Sequence, residues 1–285
     1  MRQVVLLSLS DGCLGAPVLT CRDAMIAEGA QVSTETVGSD ADLDAVLARL
    51  DGPARPDGLT WPGVDGPRLV VAAAVEGQVR AVVRRMVRRY APPPSRRPTD
   101  LAPHRTLPDL PPIGVLPLYG ADLFGLPTDP AEVAKAVLHG TGTRLDLLRT
   151  DAGSVTLGGA FIGGEQPWSA RIEVDDAVLA EPHERVAACV VGNGSGYAMV
   201  DGLPFVPDAD PADGVLDVAV AVPVPVPSRR LGRTRVHVEV RRARGRAVSV
   251  QPVGEVPFVD DGVSGTLTRR RNWWMERGAW AVLRP

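Results

Sequence analysis

Few residues in this sequence have the type and spacing for chemistry. Lys135 is the only lysine, so any mechanism that needs a catalytic lysine has one candidate. His104, His139, His183 and His237 are scattered without metal-ligand spacing. Cys13, Cys21 and Cys189 form no CxxC pair and no disulfide framework, which points to a reducing cytoplasm. Gly158-Gly159 and Gly163-Gly164 stand among expected strands with no helix after them, whereas a dinucleotide fingerprint needs one. In Gly192-Asn193-Gly194-Ser195-Gly196 the serine is off-centre for a nucleophile elbow, so the run reads as a turn.

Arginine carries nearly all the positive charge. The pairs Arg84-Arg85, Arg88-Arg89 and Arg96-Arg97 frame a Pro-rich stretch and read either as a lid over an anionic group or as a solvated helix face. Arg269 to Arg271 followed by Trp273-Trp274 reads as a membrane-surface contact or as strand-end charges beside a packed aromatic pair.

The elements that must position these groups come in two styles. Val4 to Leu9 and Leu69 to Ala74 are continuous apolar runs expected to be buried parallel strands, with Gln31 to Val37 and Gly114 to Leu118 as two more. Helical spacing falls at 15–29, 40–50, 79–89 and 129–138. Strand and helix in alternation predict a parallel α/β layer. The Pro-rich segment 91–112 interrupts it and is expected to be a mobile surface loop. From about residue 144 short apolar runs separated by Gly, Pro and Asp predict a β-sandwich. The expected division is 1–127 for an α/β Rossmann-like domain and 128–285 for the sandwich, with the C-terminal end a candidate to pack back on the first domain.

With 285 residues the chain is long enough for two packed domains. Its 45% hydrophobic and 23% charged content is that of a soluble globular protein, and the formal net charge of −3 supplies no basic field for nucleic acid. No apolar stretch approaches the ~20 residues of a spanning helix, and Val4 to Leu7 is too short for a signal-peptide core. Arginine in place of lysine, with abundant Ala, Val, Gly and Pro, fits a GC-rich bacterial genome.

The order of several motifs resembles the diacylglycerol kinase catalytic-domain family, which includes sphingosine kinases and bacterial lipid kinases. Pro207-Asp208-Ala209 followed by Ala212-Asp213-Gly214-Val215-Leu216-Asp217-Val218 is similar to the family's Pro-Asp-Ala…Asp-Gly-Leu-Leu-Asp-Val. Val191-Gly192-Asn193-Gly194 resembles its Gly-Asn strand end, and Arg144-Leu145-Asp146-Leu147 its Val-Asp-Leu. Ala74-Val75-Glu76-Gly77-Gln78 stands where the family has Gly-Gly-Asp-Gly-Thr, and Pro117-Leu118-Tyr119-Gly120-Ala121-Asp122-Leu123-Phe124 where it has Pro-Leu-Gly-Thr-Gly-Asn-Asp-Phe. The resemblance implies an α/β nucleotide domain and a β-sandwich of lipid-kinase (NAD kinase/diacylglycerol kinase-like) architecture, with a small-molecule or lipid-like ligand in the interdomain cleft.

The departures fall on the chemistry. A phosphate turn uses glycine for positive φ and close backbone approach, which Ala74 and Val75 oppose. Glu76 keeps a carboxylate on a longer arm, Tyr119 replaces a glycine, and Asp122 replaces an asparagine. Asp261-Gly262-Val263 stands where the family's Asp-Gly-Glu supplies the favoured base, and valine takes no proton. The resemblance therefore gives Glu76, Asp122, Tyr119 and Asp261 as candidate catalytic groups, and Gly77, Gln78, Gly120 and Asn193 as candidate cofactor contacts. It also implies a structural Mg²⁺ at Asp213, Asp210 and Val215, against the plain reading of an acidic turn without an ion. ATP use is in doubt. Three functions follow: a scaffold turned to another ligand or reaction, an active kinase of a lipid or other hydroxyl, or a non-catalytic partner of an intact paralogue. A homodimer is compatible with each.

Overall fold

The computed structural model describes residues 2–9, 15–119, 124–194, 199–200, 203–207, 209–227 and 234–285. It divides into two compact units, residues 1–145 with 278–285, and residues 146–277.

In the first unit the strands are β1 (Gln3–Leu9), β2 (Gln31–Val37), β3 (Arg68–Ala73) and β4 (Ile113–Pro117), all parallel in the order β2-β1-β3-β4. Helices α1 (Ala16–Ala27), α2 (Asp40–Leu47), α3 (Glu76–Tyr90) and α4 (Pro130–His139) connect or follow them. Alternate strand residues Val4, Leu6, Val70, Ala72 and Leu116 share one core with Val18, Cys21 and Met25 of α1 and Val133 and Val137 of α4. By the two-residue period of a strand, Val5, Leu7 and Val71 face the other way, and all three are buried. α3 buries Val79, Val82, Val83, Met86, Val87 and Tyr90, the i, i+3, i+4, i+7 stripe of an amphipathic helix. Ser39 caps α2 by accepting from the Asp42 amide at 3.2 Å, and Asp129 caps α4 through the Ala131 and Glu132 amides, with Pro130 at the first helical position.

Helix α4 belongs to this unit and not to the sandwich, so the second unit begins at residue 146 and not at 128. The cause is packing. Val133 and Val137 lie in the α1 core, and Gly114 lets Val137 come so close that a Cβ there would sit 2.6 Å from its Cγ2.

The 91–112 segment differs from the mobile loop expected of it. Leu101, Leu107 and Leu110 are buried, and Asp100 reaches Arg55 at 3.2 Å. One arginine of each α3 pair is structural: Arg85 binds Asp40 and Asp44, and Arg89 grips both oxygens of Asp51. Partly buried ion pairs of this geometry clamp the outer helix to the α2 side of the unit.

The second unit comprises β5 (Thr141–Thr150, entering from the first unit), β6 (Val155–Thr156), β7 (Gly159–Trp168), β8 (Ala170–Val174), β9 (Ala177–Ala180), β10 (Val186–Gly192), β11 (Met199–Val200), β12 (Leu203–Pro204), β13 (Leu216–Pro227), β14 (Thr234–Gly245), β15 (Ala247–Pro252), β16 (Val256–Asp260), β17 (Val263–Leu267) and β18 (Arg271–Arg284). The last strand runs on into the first unit, where Val282 pairs with Ile113. One sheet has the order β14-β13-β10-β7-β16-β17, and in the other β15 lies between β18 and β8. Ile162, Cys189, Val191 and Val218 of the first sheet share a core with Ile172, Val174, Val250 and Trp273 of the second. That is a β-sandwich. Pro223 and Pro225 fall beyond the residues of β13 that pair with β10, where the strand has one neighbour and a missing N–H is tolerated. Trp273 is fully buried, and the Arg149 guanidinium lies 5.4 Å from the Trp274 ring centroid. Trp273 is packed in the sandwich core, and Trp274, on the opposite face of β18, is half-buried.

Candidate functional site

The chain leaves β1 for β2 on one side and returns past β1 to β3 on the other. In parallel α/β sheets the carboxyl ends of strands at such a reversal are where ligands sit. β3 ends here at Ala73 and α3 begins at Glu76, so the connection is only two residues. Val75 is extended, with φ −144° and ψ 152°, and is mostly exposed. The strain expected of a valine at positive φ is absent, because the turn has been rebuilt as an extended helix cap.

Two hydrogen bonds close the turn. The Ala74 N–H donates to Gln78 Oε1 at 2.7 Å, and the Gln78 N–H donates to the Val75 carbonyl at 3.1 Å. Glu76 is half-buried in the first turn of α3, where its charge complements the helix dipole, and it is engaged in a further interaction. A helix N-terminus binds a phosphate through free N–H groups and its positive end. Here a side-chain amide takes one N–H and a carboxylate sits on that end. Gly77 is simply the second residue of α3.

The end of β4 lies beside this turn, with Pro117 opposite Ala73 and the Leu118 N–H bonded to the Ala73 carbonyl at 2.8 Å. Tyr119 follows, 90% exposed and left-handed at φ 56°. The structure therefore brings Glu76, Gln78 and Tyr119 to one sheet edge. Gly120 and Asp122 lie outside the described residues, as do Cys13, Ser195 and Asp208.

In the second unit Asp261 is bound into the backbone. It is fully buried, and its carboxylate accepts from the amides of Leu157 at 2.7 Å, Gly158 at 2.8 Å and Gly159 at 3.0 Å. Its own φ of 47° aims the side chain back at that segment. A carboxylate that takes three backbone N–H groups organises the chain around it. The preceding Asp260 accepts from the Thr156 hydroxyl at 2.7 Å, which in turn accepts from the Trp273 indole at 3.3 Å.

Asn193 continues the same network. Its Nδ2 donates to the carbonyls of Asp146 at 3.0 Å and Leu157 at 2.9 Å, and its N–H to the Gly158 carbonyl at 2.8 Å. Its Oδ1 is buried and meets no donor among the described residues. Asp146, also fully buried, accepts from the Gly214 amide at 2.6 Å and so ties this network to the 210–215 loop.

That loop is closed by its own side chains. Asp210 accepts from the Ala212 amide and Asp213 from the Val215 amide, both at 3.0 Å. The remaining Asp213 oxygen is bound by the Arg244 guanidinium, whose Nε lies 3.1 Å from Asp217. Val215 offers a carbonyl, but no group of three or more His, Cys, Asp or Glu able to hold an ion occurs among the described residues. The sequence names Gln78 and Asp146 through the resemblance but not the contacts they make here, and nothing in it points to Arg244.

Each unit also holds a cavity. One of about 520 Å³ in the first is lined by Trp61, Leu101, Leu107 and Leu110, and one of about 650 Å³ in the second by Phe205, Val206, Arg242 and the Asp217–Arg244 pair.

Residues 160–270 match the family model described as the YegS C-terminal NAD kinase beta sandwich-like domain. Among solved structures, a diacylglycerol kinase from Bacillus anthracis str. Sterne superposes with a TM-score of 0.65 at 15% identity, covering 100% of this chain and 97% of that one. A second structure from the same organism gives 0.66 at 16% identity, with the same coverage. Among curated proteins none matches by sequence. The α/β-plus-β-sandwich architecture of this chain is thus similar to that of diacylglycerol kinase structures, and at such identity the likeness is one of fold.

Proposed function

We propose that this protein keeps a lipid-kinase-type scaffold without ordinary ATP-dependent phosphoryl transfer, and serves a different small or lipid-like ligand or reaction. The observation that carries this reading is the 2.7 Å bond from the Ala74 N–H to Gln78 Oε1. A nucleotide phosphate approaching the β3–α3 turn meets an amide carbonyl where it needs a donor, and a carboxylate, Glu76, at the helix start. Both repel it. The carboxylate of Asp261 supports the same reading, since the one acidic residue of the Asp261-Gly262-Val263 run accepts three backbone N–H groups. The exposed Tyr119, at the end of β4, remains available to a ligand.

Mg-ATP and Mg-ADP thermal shifts test the reading. A ligand at a hundredfold excess over its Kd stabilises by about 2.7 kcal/mol, a shift easily read. The expectation is no shift with either nucleotide. A clear shift, together with phosphate transfer that Glu76→Ala abolishes, overturns it in favour of an active kinase.

A further inference from the structure

The resemblance to lipid kinases implies a structural Mg²⁺ in the Asp210–Val215 loop, and the residues present do not fit one. A hard divalent cation takes six or more oxygens, several of them anionic. In this loop Asp210 and Asp213 each spend an oxygen on a backbone amide. The oxygens of Asp213 and Asp217 that converge are both bound by one side chain, Arg244.

Its placement follows from strand register. Asp217 on β13 pairs directly with Arg244 on β14, in an antiparallel ladder that is continuous from Leu216↔Gly245 to Pro227↔Thr234. Arg244 therefore leaves its backbone opposite Asp217 and reaches Asp213 just before the start of β13. Its planar fork can bind two carboxylates at once, which an ammonium cannot match in geometry. The two carboxylates are mostly buried, with side-chain exposures of 26% for Asp213 and 16% for Asp217, so their charges need a partner. The Gly214 amide anchors the loop from the other side, on Asp146.

We infer that the Arg244 guanidinium is a built-in substitute for a divalent cation, holding the Asp213 loop against Asp217 and making the sandwich indifferent to metal. A second cation entering this loop would meet that fixed positive charge. Removing it exposes two facing carboxylates and the Asp210 side, a set with ion affinity that the native chain lacks.

Thermal unfolding in EDTA, MgCl2 and CaCl2 tests this on the native chain, Arg244→Ser, Arg244→Lys and the double variant Arg244→Ser/Asp217→Asn. The native chain and Arg244→Lys should melt at the same temperature in all three solutions. Arg244→Ser should melt lower in EDTA and recover with Ca²⁺ or Mg²⁺, by about 3–6 °C once the ion is roughly tenfold above its Kd. The double variant should lose that recovery. A native chain destabilised by EDTA or stabilised by either ion overturns the inference. So does an Arg244→Ser protein that ignores both ions, or a double variant that recovers as well as the single one. None of these outcomes depends on whether the protein binds nucleotide.

Discussion

Replacing Asp261 with alanine removes the acceptor for three backbone donors at once. The Leu157 and Gly159 amides are buried and the Gly158 amide is half-buried, so water cannot fully take over. Hydrogen bonds to a charged group are worth about 1.5–3 kcal/mol each, but the losses are not additive and the segment can relax. Breaking a buried charged contact of this kind typically costs about 3–5 kcal/mol. Alanine at φ 47° adds about 1 kcal/mol of backbone strain, which Asp261→Gly avoids. Asp261→Asn keeps one acceptor oxygen and tolerates the left-handed backbone, so it should lose roughly half as much. Urea unfolding should therefore rank the variants wild type, Asn, Gly, Ala, with the last lower by about 4–6 kcal/mol. A loss below about 1 kcal/mol for Asp261→Ala would refute the structural role and return this carboxylate to the list of available bases.

Two further outcomes follow from burial. A Cβ at Gly140 would run into the carbonyl oxygens of Arg284 and Ala136, so Gly140→Ala should cost about 1–3 kcal/mol in chemical denaturation despite the residue's ordinary φ. Burial pushes the Cys21 and Cys189 thiols up to about 12 from an ordinary 9.0. The folded chain thus holds these protons more tightly than the unfolded one. Their contribution to stability is complete below about pH 9 and declines as the pH rises towards 12, by up to about 1.4 kcal/mol per pH unit for each thiol. Cys189→Ala should flatten that alkaline slope, and an unchanged slope would count against it.

The layered fold was legible in the sequence where periodicity was strong. The apolar runs at Val4 and Leu69 and the stripe from Val79 to Arg89 correspond to β1, β3 and α3. Local pattern could not show that Val133 and Val137 pack on α1, which is why α4 was assigned to the wrong unit. It also missed that the leucines of the Pro-rich segment are buried, because proline content signals a loop and says nothing of what the loop covers. Gly163 sits at φ 145° where β7 and β10 run closest, a Cβ there lying 2.9 Å from the Ala187 carbonyl, a close approach that no local pattern announces. In the candidate site the altered residues were legible and their consequence was not. Val75 was expected to strain a phosphate-type turn, and instead the turn has another shape. Asp261 and Arg244 act through contacts about 100 and 30 residues away in sequence, to Leu157–Gly159 and to Asp213, which no spacing rule reaches.

The account turns on the Ala74 amide. Backbone amide chemical shifts of Ala74, Val75 and Glu76, followed by NMR as Mg-ATP is added to millimolar concentration, test it directly. The prediction is that these three signals stay in place and that the Ala74 N–H, closed by Gln78, exchanges slowly with water in the absence of nucleotide. Saturable movement of the Ala74 signal with Mg-ATP would contradict it, because the turn would then be receiving a phosphate after all.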